Sequence, residues 1–263
     1  MTKLYLSNYT VELYRERFGV PQPLGSGLLI TFQDKYLIIS AYHVIDMEDE
    51  RIRIENDPDE ADIPQDDMER IMAKGKDIFF AINDNVKAVV LTAHYDADTK
   101  EPIFSDDVEW CVCELSEEIV KYFIEKGKSF YEIDENLSLN IESGTQIIVS
   151  GYPGYAQKGK EEVCRSFKSE LIEEFKMTES GLFKVHFNQF KAYCLELEKE
   201  IQIPPREGIS GMSGGGLWYL TVDNCVPLGI IIKQDPNENY VEGFSLTEIL
   251  KSYTKEYIYE KLN

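Results

Sequence analysis

Short apolar runs separated by polar turns dominate this chain, a pattern that predicts strands more often than helices. Gly27-Leu28-Leu29-Ile30-Thr31-Phe32 and Tyr36-Leu37-Ile38-Ile39-Ser40 flank the polar Gln33-Asp34-Lys35 and predict a hairpin. Further strands are predicted over Val86 to Thr92, Val108 to Leu115, Gln146 to Ser150, Leu182 to Phe187, Tyr193 to Leu197, Gly216 to Leu220 and Pro227 to Ile232. Three segments read as helical. In residues 9–19, Thr10 caps, Val11, Tyr14 and Phe18 share a face, and Gly19 ends the run before Pro21-Gln22-Pro23. From Ser116 to Gly127, Ile119, Val120 and Phe123 face inward, with Glu117 and Glu118 in the first turn. At the C-terminal end Ser245-Leu246-Thr247-Glu248 forms a capping box, followed by Leu246, Ile249, Leu250 and Tyr253 at helical spacing.

Two groups of short strands, split by one helix and closed by another, predict a mostly β protein built from two antiparallel barrels. The expected division is one domain over 1–263. Its first barrel covers about 24–115, its second about 140–235, and its C-terminal helix 245–262.

Charge narrows the partners. The formal net charge of −21 opposes binding to nucleic acid and to anionic membrane surfaces. Residues 46–70 carry 12 Asp and Glu against 3 Arg, without calcium-loop spacing, and read as a solvated insertion. The five cysteines are odd in number and include no CxxC pair. With no apolar leader and no run of membrane-spanning length, the expectation is a cytoplasmic protein with reduced, buried thiols.

The chemistry centres on Gly208-Ile209-Ser210-Gly211-Met212-Ser213-Gly214-Gly215-Gly216. A serine among close-packed glycines sits on a tight turn with backbone N–H groups beside it, as acyl transfer requires. Its hydroxyl needs a base, and the chain has three histidines: His43, His94 and His186. Gly211-Met212-Ser213-Gly214-Gly215 also fits the nucleophile elbow of α/β-hydrolases, but there the histidine follows the serine, and none follows Ser213. An Asp–His–Ser order needs an acid before the histidine. Asp34 qualifies by position but sits in a hairpin turn, away from any parallel α/β pattern. His, then Asp, then Ser remains.

Four segments occur in that order: Gly25-Ser26-Gly27-Leu28-Leu29-Ile30, Leu37-Ile38-Ile39-Ser40-Ala41-Tyr42-His43-Val44, Asp107-Val108-Glu109-Trp110-Cys111 and Gly211-Met212-Ser213-Gly214-Gly215. Together they resemble the chymotrypsin/trypsin-like serine proteases over about residues 24–233. The likeness is greatest to the bacterial branch that lacks disulfides and zymogen activation. The resemblance implies an endopeptidase that works through an acyl-enzyme and needs no cofactor or metal. Ser213 is the implied nucleophile, His43 the base and Asp107 the acid that fixes the imidazole tautomer. The N–H groups of Gly211 and Ser213 are the implied oxyanion hole. The strand Val226-Pro227-Leu228-Gly229-Ile230-Ile231 would bind substrate backbone, so Gly229, Ile230 and Ile231 are expected substrate contacts. Gly151-Tyr152-Pro153-Gly154 resembles the family's glycine–proline turn. Glu207, six residues before Ser213, sits where the family places the base of the primary specificity pocket, and an acid there favours Lys or Arg.

The chain departs from the family at Tyr42 before the histidine, Glu109 after the aspartate and Gly216 after the nucleophile turn. Met212 replaces the aspartate with which secreted trypsins hold a newly cut N-terminus. Blander readings stand beside these. His43 is also compatible with a strand-end histidine, and His94 echoes its motif. Asp106 can exchange roles with Asp107, and His186 lies in a strand. At the level of function the alternative is a degenerate or partner-activated protease fold that binds peptide or protein.

Overall fold

The computed structural model describes residues 5–17, 20–45, 78–81, 89–91, 109–133, 145–153, 164–170, 176–179, 181–186, 192–203, 209, 211–221, 224–235 and 240–262. The protein is mostly β, with two sheets. The first holds β1 (Thr10–Arg17), β2 (Val20–Phe32), β3 (Lys35–Ala41), β4 (Ile78–Ala81), β5 (Val89–Leu91), β6 (Trp110–Glu114) and β7 (Tyr131–Glu132). Its strand order is β5-β4-β1-β2-β3-β6, and β7 pairs with β2 in parallel. The second sheet holds β8 (Gln146–Gly151), β9 (Arg165–Glu170), β10 (Lys176–Met177), β11 (Leu182–His186), β12 (Ala192–Cys194), β13 (Lys199–Ile201), β14 (Gly216–Leu220), β15 (Cys225–Asp235) and β16 (Tyr240–Ser245). Its order is β10-β11-β16-β15-β14-β8-β9-β12-β13, antiparallel throughout. A short 3-10 turn, Leu6–Tyr9, precedes β1; helix α1 is one turn, Tyr42–Ile45; α2 runs Glu117–Glu125 and α3 Leu246–Leu262.

Local chemistry explains the clearest elements. The β2–β3 hairpin closes through Gln33 (φ 48°) and Asp34 (φ 61°), the pair of positive angles that a two-residue type I′ turn requires. Ser116 caps α2 by accepting the Ile119 N–H. Val120 and Phe123 then turn into the core.

The helix expected over 9–19 is corrected to a strand over Thr10–Arg17. β1 lies between β2 and β4, with Thr10 opposite Leu28 and Leu13 opposite Phe80. Thr10, Val11, Glu12 and Leu13 are all buried, as expected of a strand with neighbours on both edges, so pairing wins over the helical reading of Val11, Tyr14 and Phe18. Pro21 and Pro23 belong to β2, where Pro23 faces Tyr14 across a register shift. Among the described residues that stretch pairs with β1 alone, because β3 meets β2 over Leu28–Phe32, and a strand edge without a ladder partner tolerates proline. The capping box is also corrected: Ser245 ends β16, its N–H donates to the Gly181 carbonyl, and its hydroxyl has no partner among the described residues. The acidic stretch 46–70 lies outside the described residues.

Three apolar clusters hold the fold. One packs Val11, Leu13, Leu29 and Ile38 of the first sheet against Val120 and Phe123 of α2. A second lies under the other sheet, with Val149, Phe167, Met212, Leu217 and Ile231. The third joins the sheets: Leu28, Ile39 and Val112 meet Ile148, Trp218 and Ile230, closed by Leu246, Ile249 and Leu250 of α3. Each such buried aliphatic side chain contributes about 1.5–3 kcal/mol of transfer free energy. Two polar clamps reinforce this seam. Glu114 accepts from Lys35 and from the Tyr253 hydroxyl, tying α3 to the first sheet. The buried Lys128 ammonium donates to the Ser7 carbonyl (3.0 Å), the Thr10 carbonyl (2.7 Å) and the Tyr152 hydroxyl (3.1 Å). Burial lowers its pKa.

Candidate active site

The glycine-rich turn sits at this seam. Gly211 (φ 88°) and Gly214 (φ 79°) adopt the left-handed conformations that glycine permits. At Gly214 a side chain is also excluded by space: a Cβ would lie 2.1 Å from both the Ser26 carbonyl oxygen and Ser40 Oγ. The turn therefore presses directly against the end of β3, two residues before His43. Gly25 is a second point of close approach, where a Cβ would come 2.7 Å from a Val44 methyl and 2.8 Å from the Ser213 carbonyl oxygen. The helix turn that carries His43 and the loop that carries Ser213 thus meet across one glycine.

Ser26 fastens this arrangement. Its N–H donates to the Ser213 carbonyl (2.7 Å), and its own carbonyl accepts from Ser40 Oγ (2.8 Å). Its hydroxyl donates to the Gly211 carbonyl (3.0 Å) and accepts from the Tyr152 N–H (2.9 Å). Every polar group of this buried residue is engaged, and all four bonds converge on the nucleophile turn or its two flanks. From the other side Met212 is fully buried in the second sheet's core. An apolar anchor occupies the position of the aspartate that secreted trypsins use.

Between Gly211 and Leu217 only Gly211 and Ser213 are partly exposed. Among the described residues their N–H groups have no hydrogen-bond partner, whereas the N–H groups of Met212, Gly214 and Gly215 are bonded to the carbonyls of Ile209, Ile231 and Met212. Ser213 Oγ donates to the Ile232 carbonyl at 3.3 Å. That carbonyl is set by a register shift between Ile231 and Lys233 in the β15–β16 ladder. Such irregularities re-aim backbone groups beside active sites.

His43 is half exposed and pairs through Nδ1 with Glu109 Oε2 at 3.1 Å. The backbone repeats the contact: the Tyr42 N–H donates to the Glu109 carbonyl at 3.2 Å. Among the described residues no hydrogen bond joins Ser213 to His43. In the sequence Glu109 stands only as a departure from the family. The signal lay in its place just before β6, the strand that pairs with β3, which leads into the turn of His43.

Asp107, Asp106, Glu207, Ser210 and His94 lie outside the described residues. His186 ends β11 opposite Tyr240. The expectation that substrate adds to Gly229, Ile230 and Ile231 is corrected. Both edges of β15 are occupied there, by Leu217 and Gly216 of β14 and by Ser245, Phe244 and Gly243 of β16, with Gly215 completing the β14 side at Ile231. Ile231 serves the turn instead, accepting from the Gly214 N–H and donating to the Gly215 carbonyl. Among the described residues no group of His, Cys, Asp and Glu converges to hold a metal.

No protein-family model and no curated protein matches the sequence. Solved structures do match. A Glu endopeptidase aligns over 97% of this chain and 93% of its own, at 15% identity and TM-score 0.51. A thermostable serine protease from an extremophilic microorganism aligns over 95% and 97%, at 11% identity and TM-score 0.51. The fold is that of the chymotrypsin-like serine proteases. A scabies mite inactivated protease paralogue shares it over 98% of each chain, at 12% identity and TM-score 0.53. The chymotrypsin-like fold is therefore common to cutting and non-cutting proteins, and the side chains must carry the argument about activity.

Proposed function

We propose that this chain is a serine endopeptidase of the trypsin-like type, with the two sheets serving as the two barrels of one peptidase domain. The observation that supports it best is the selective exposure of the turn. The two residues expected to supply the oxyanion hole, Gly211 and Ser213, are those whose N–H groups have no partner among the described residues, on a loop locked to the end of β3 just before His43. In this reading Ser213 Oγ attacks the scissile carbonyl and passes its proton to His43 Nε2. The tetrahedral oxyanion accepts from the N–H groups of Gly211 and Ser213. His43 then gives the proton to the leaving amine, and water repeats the cycle on the acyl-enzyme. The orienting carboxylate comes from the segment leading into β6, where the resemblance puts Asp107. Substrate backbone lies along β15 past Ile231, where Lys233, Gln234 and Asp235 pair with β16 and no described strand takes the other edge.

The five described thiols are all unpaired and buried, which fits action inside the cell. No helix among the described residues is long and apolar enough to cross a membrane. A partner-activated or degenerate binding module is the second reading. It is favoured by the Ser213 hydroxyl, which donates to the Ile232 carbonyl and not to an imidazole. Apo catalytic sites are often loose, so this bond is compatible with either. Incubation with an unfolded protein substrate decides between them. Fragments that appear with the native chain and vanish with Ser213→Ala support the peptidase. Retention of peptide with no fragments, alone and in lysate, supports the binding module.

A further inference from the structure

We propose that Glu109, and not Asp107, is the positioning residue that holds the His43 imidazole; the inference deepens the proteolytic reading and rests on it. Two independent features of the structure lead there. The first is register. In the β3–β6 ladder Leu37 faces Glu114, Ile39 faces Val112 and Ala41 faces Trp110. One step further, the Tyr42 N–H bonds the Glu109 carbonyl. The residue of the acidic segment that lies across from the histidine's turn is therefore Glu109, and Asp107 stands two positions upstream.

The second feature is the side chain. Glu109 Oε2 lies 3.1 Å from His43 Nδ1. A neutral imidazole has one N–H. With that proton on Nδ1 and donated to Glu109, the Nε2 lone pair is left to accept the proton of a serine hydroxyl. Nδ1 then has no hydrogen to offer a second carboxylate, so an aspartate cannot perform the same task at the same time. The extra methylene of glutamate spans the gap from the segment that opens β6. Half of each side chain is exposed, 46% for His43 and 57% for Glu109. An exposed pair of this kind adds little to folding stability. Its effect lies in which nitrogen carries the proton.

The tautomer reads this out without any substrate. The chain has three histidines, so selective ¹⁵N-imidazole labelling gives few resonances, and His43→Gln assigns the one of interest. With the imidazole neutral, the native chain should show the proton on Nδ1. Glu109→Ala should move it toward Nε2 at unchanged melting temperature, while Asp107→Ala leaves it in place. Fluorophosphonate labelling should slow about 100-fold or more in Glu109→Ala, as expected when a base loses its tautomer. A tautomer change in Asp107→Ala, or none in Glu109→Ala, overturns the assignment. If the tautomer responds as stated but the native chain never reacts with the probe, the pairing stands and the proteolytic reading fails.

Discussion

The two halves of the site are built differently. The glycine-rich turn is buried except at Gly211 and Ser213, fastened by the hydrogen bonds of Ser26 and too crowded at Gly214 for a methyl group. His43, the proposed base, stands at the surface on one helical turn, paired with the half-exposed Glu109 carboxylate. The chain thus preorganises the groups that would stabilise charge and leaves the proton acceptor adjustable. Oxyanion stabilisation gains most from fixed donors in a shielded site. A surface imidazole can be brought into line by substrate or partner at small cost, because little packing has to be undone.

The contrast can be broken most severely at the turn. Gly214→Ala forces a Cβ onto the Ser26 carbonyl and Ser40 Oγ at a positive φ. The expected cost is about 3 kcal/mol or more in denaturant unfolding, with loss of reactivity at Ser213. A variant of native stability would show that the turn is looser than this packing implies. Ser26→Ala comes next. It removes the hydrogen bonds of the part-buried Gly211 carbonyl and of the buried Tyr152 N–H, an expected loss of about 1–3 kcal/mol. Because the bond to Gly211 sets the peptide beside the oxyanion hole, probe labelling should slow about 10-fold even where the variant is fully folded. Unchanged labelling would reduce Ser26 to a packing residue.

The buried thiols have the smallest effect at neutral pH, and theirs grows only in alkaline solution. Burial pushes the thiols of Cys164 and Cys225 up to about 12 from an ordinary value of 9.0. Above pH 9.0 the unfolded chain gives up these protons and the folded chain keeps them. Stability is therefore fully present below that value and is lost as pH rises toward about 12, by about 1.4 kcal/mol per pH unit for each thiol. Lys128 opposes this trend. Its lowered pKa makes stability rise from the folded value up to 10.5. Cys225→Ala should flatten the alkaline decline by one thiol's share. An unaltered slope would mean that Cys225 is not shielded as described.

These regions also differ in how far the sequence discloses them. The β2–β3 hairpin is legible because its signals are local: apolar arms and a polar turn. The nucleophile turn is legible for the same reason, since crowded glycines around a serine have few other uses. β1 is not, because Tyr14 and Phe18 sit at helical spacing and only its neighbours β2 and β4 select the extended form. Ser245-Leu246-Thr247-Glu248 has a capping pattern, yet pairing with Gly229 makes Ser245 the end of a strand. Gly229, Ile230 and Ile231 read as a docking edge because a single strand does not reveal that both its sides are taken. In the sequence Glu109 shows only as a departure from the family, because its pairing with His43 depends on the register between β3 and β6, a long-range property that no local motif encodes.

The central claim is that Ser213 is an activated nucleophile within reach of His43. Treatment with a fluorophosphonate, followed by peptide mass spectrometry, tests it most directly. The expected adduct is one phosphonate on Ser213, absent in Ser213→Ala and slowed at least about 1,000-fold in His43→Ala. Labelling at another serine, or at Ser213 with equal speed when His43 is replaced, would contradict the account.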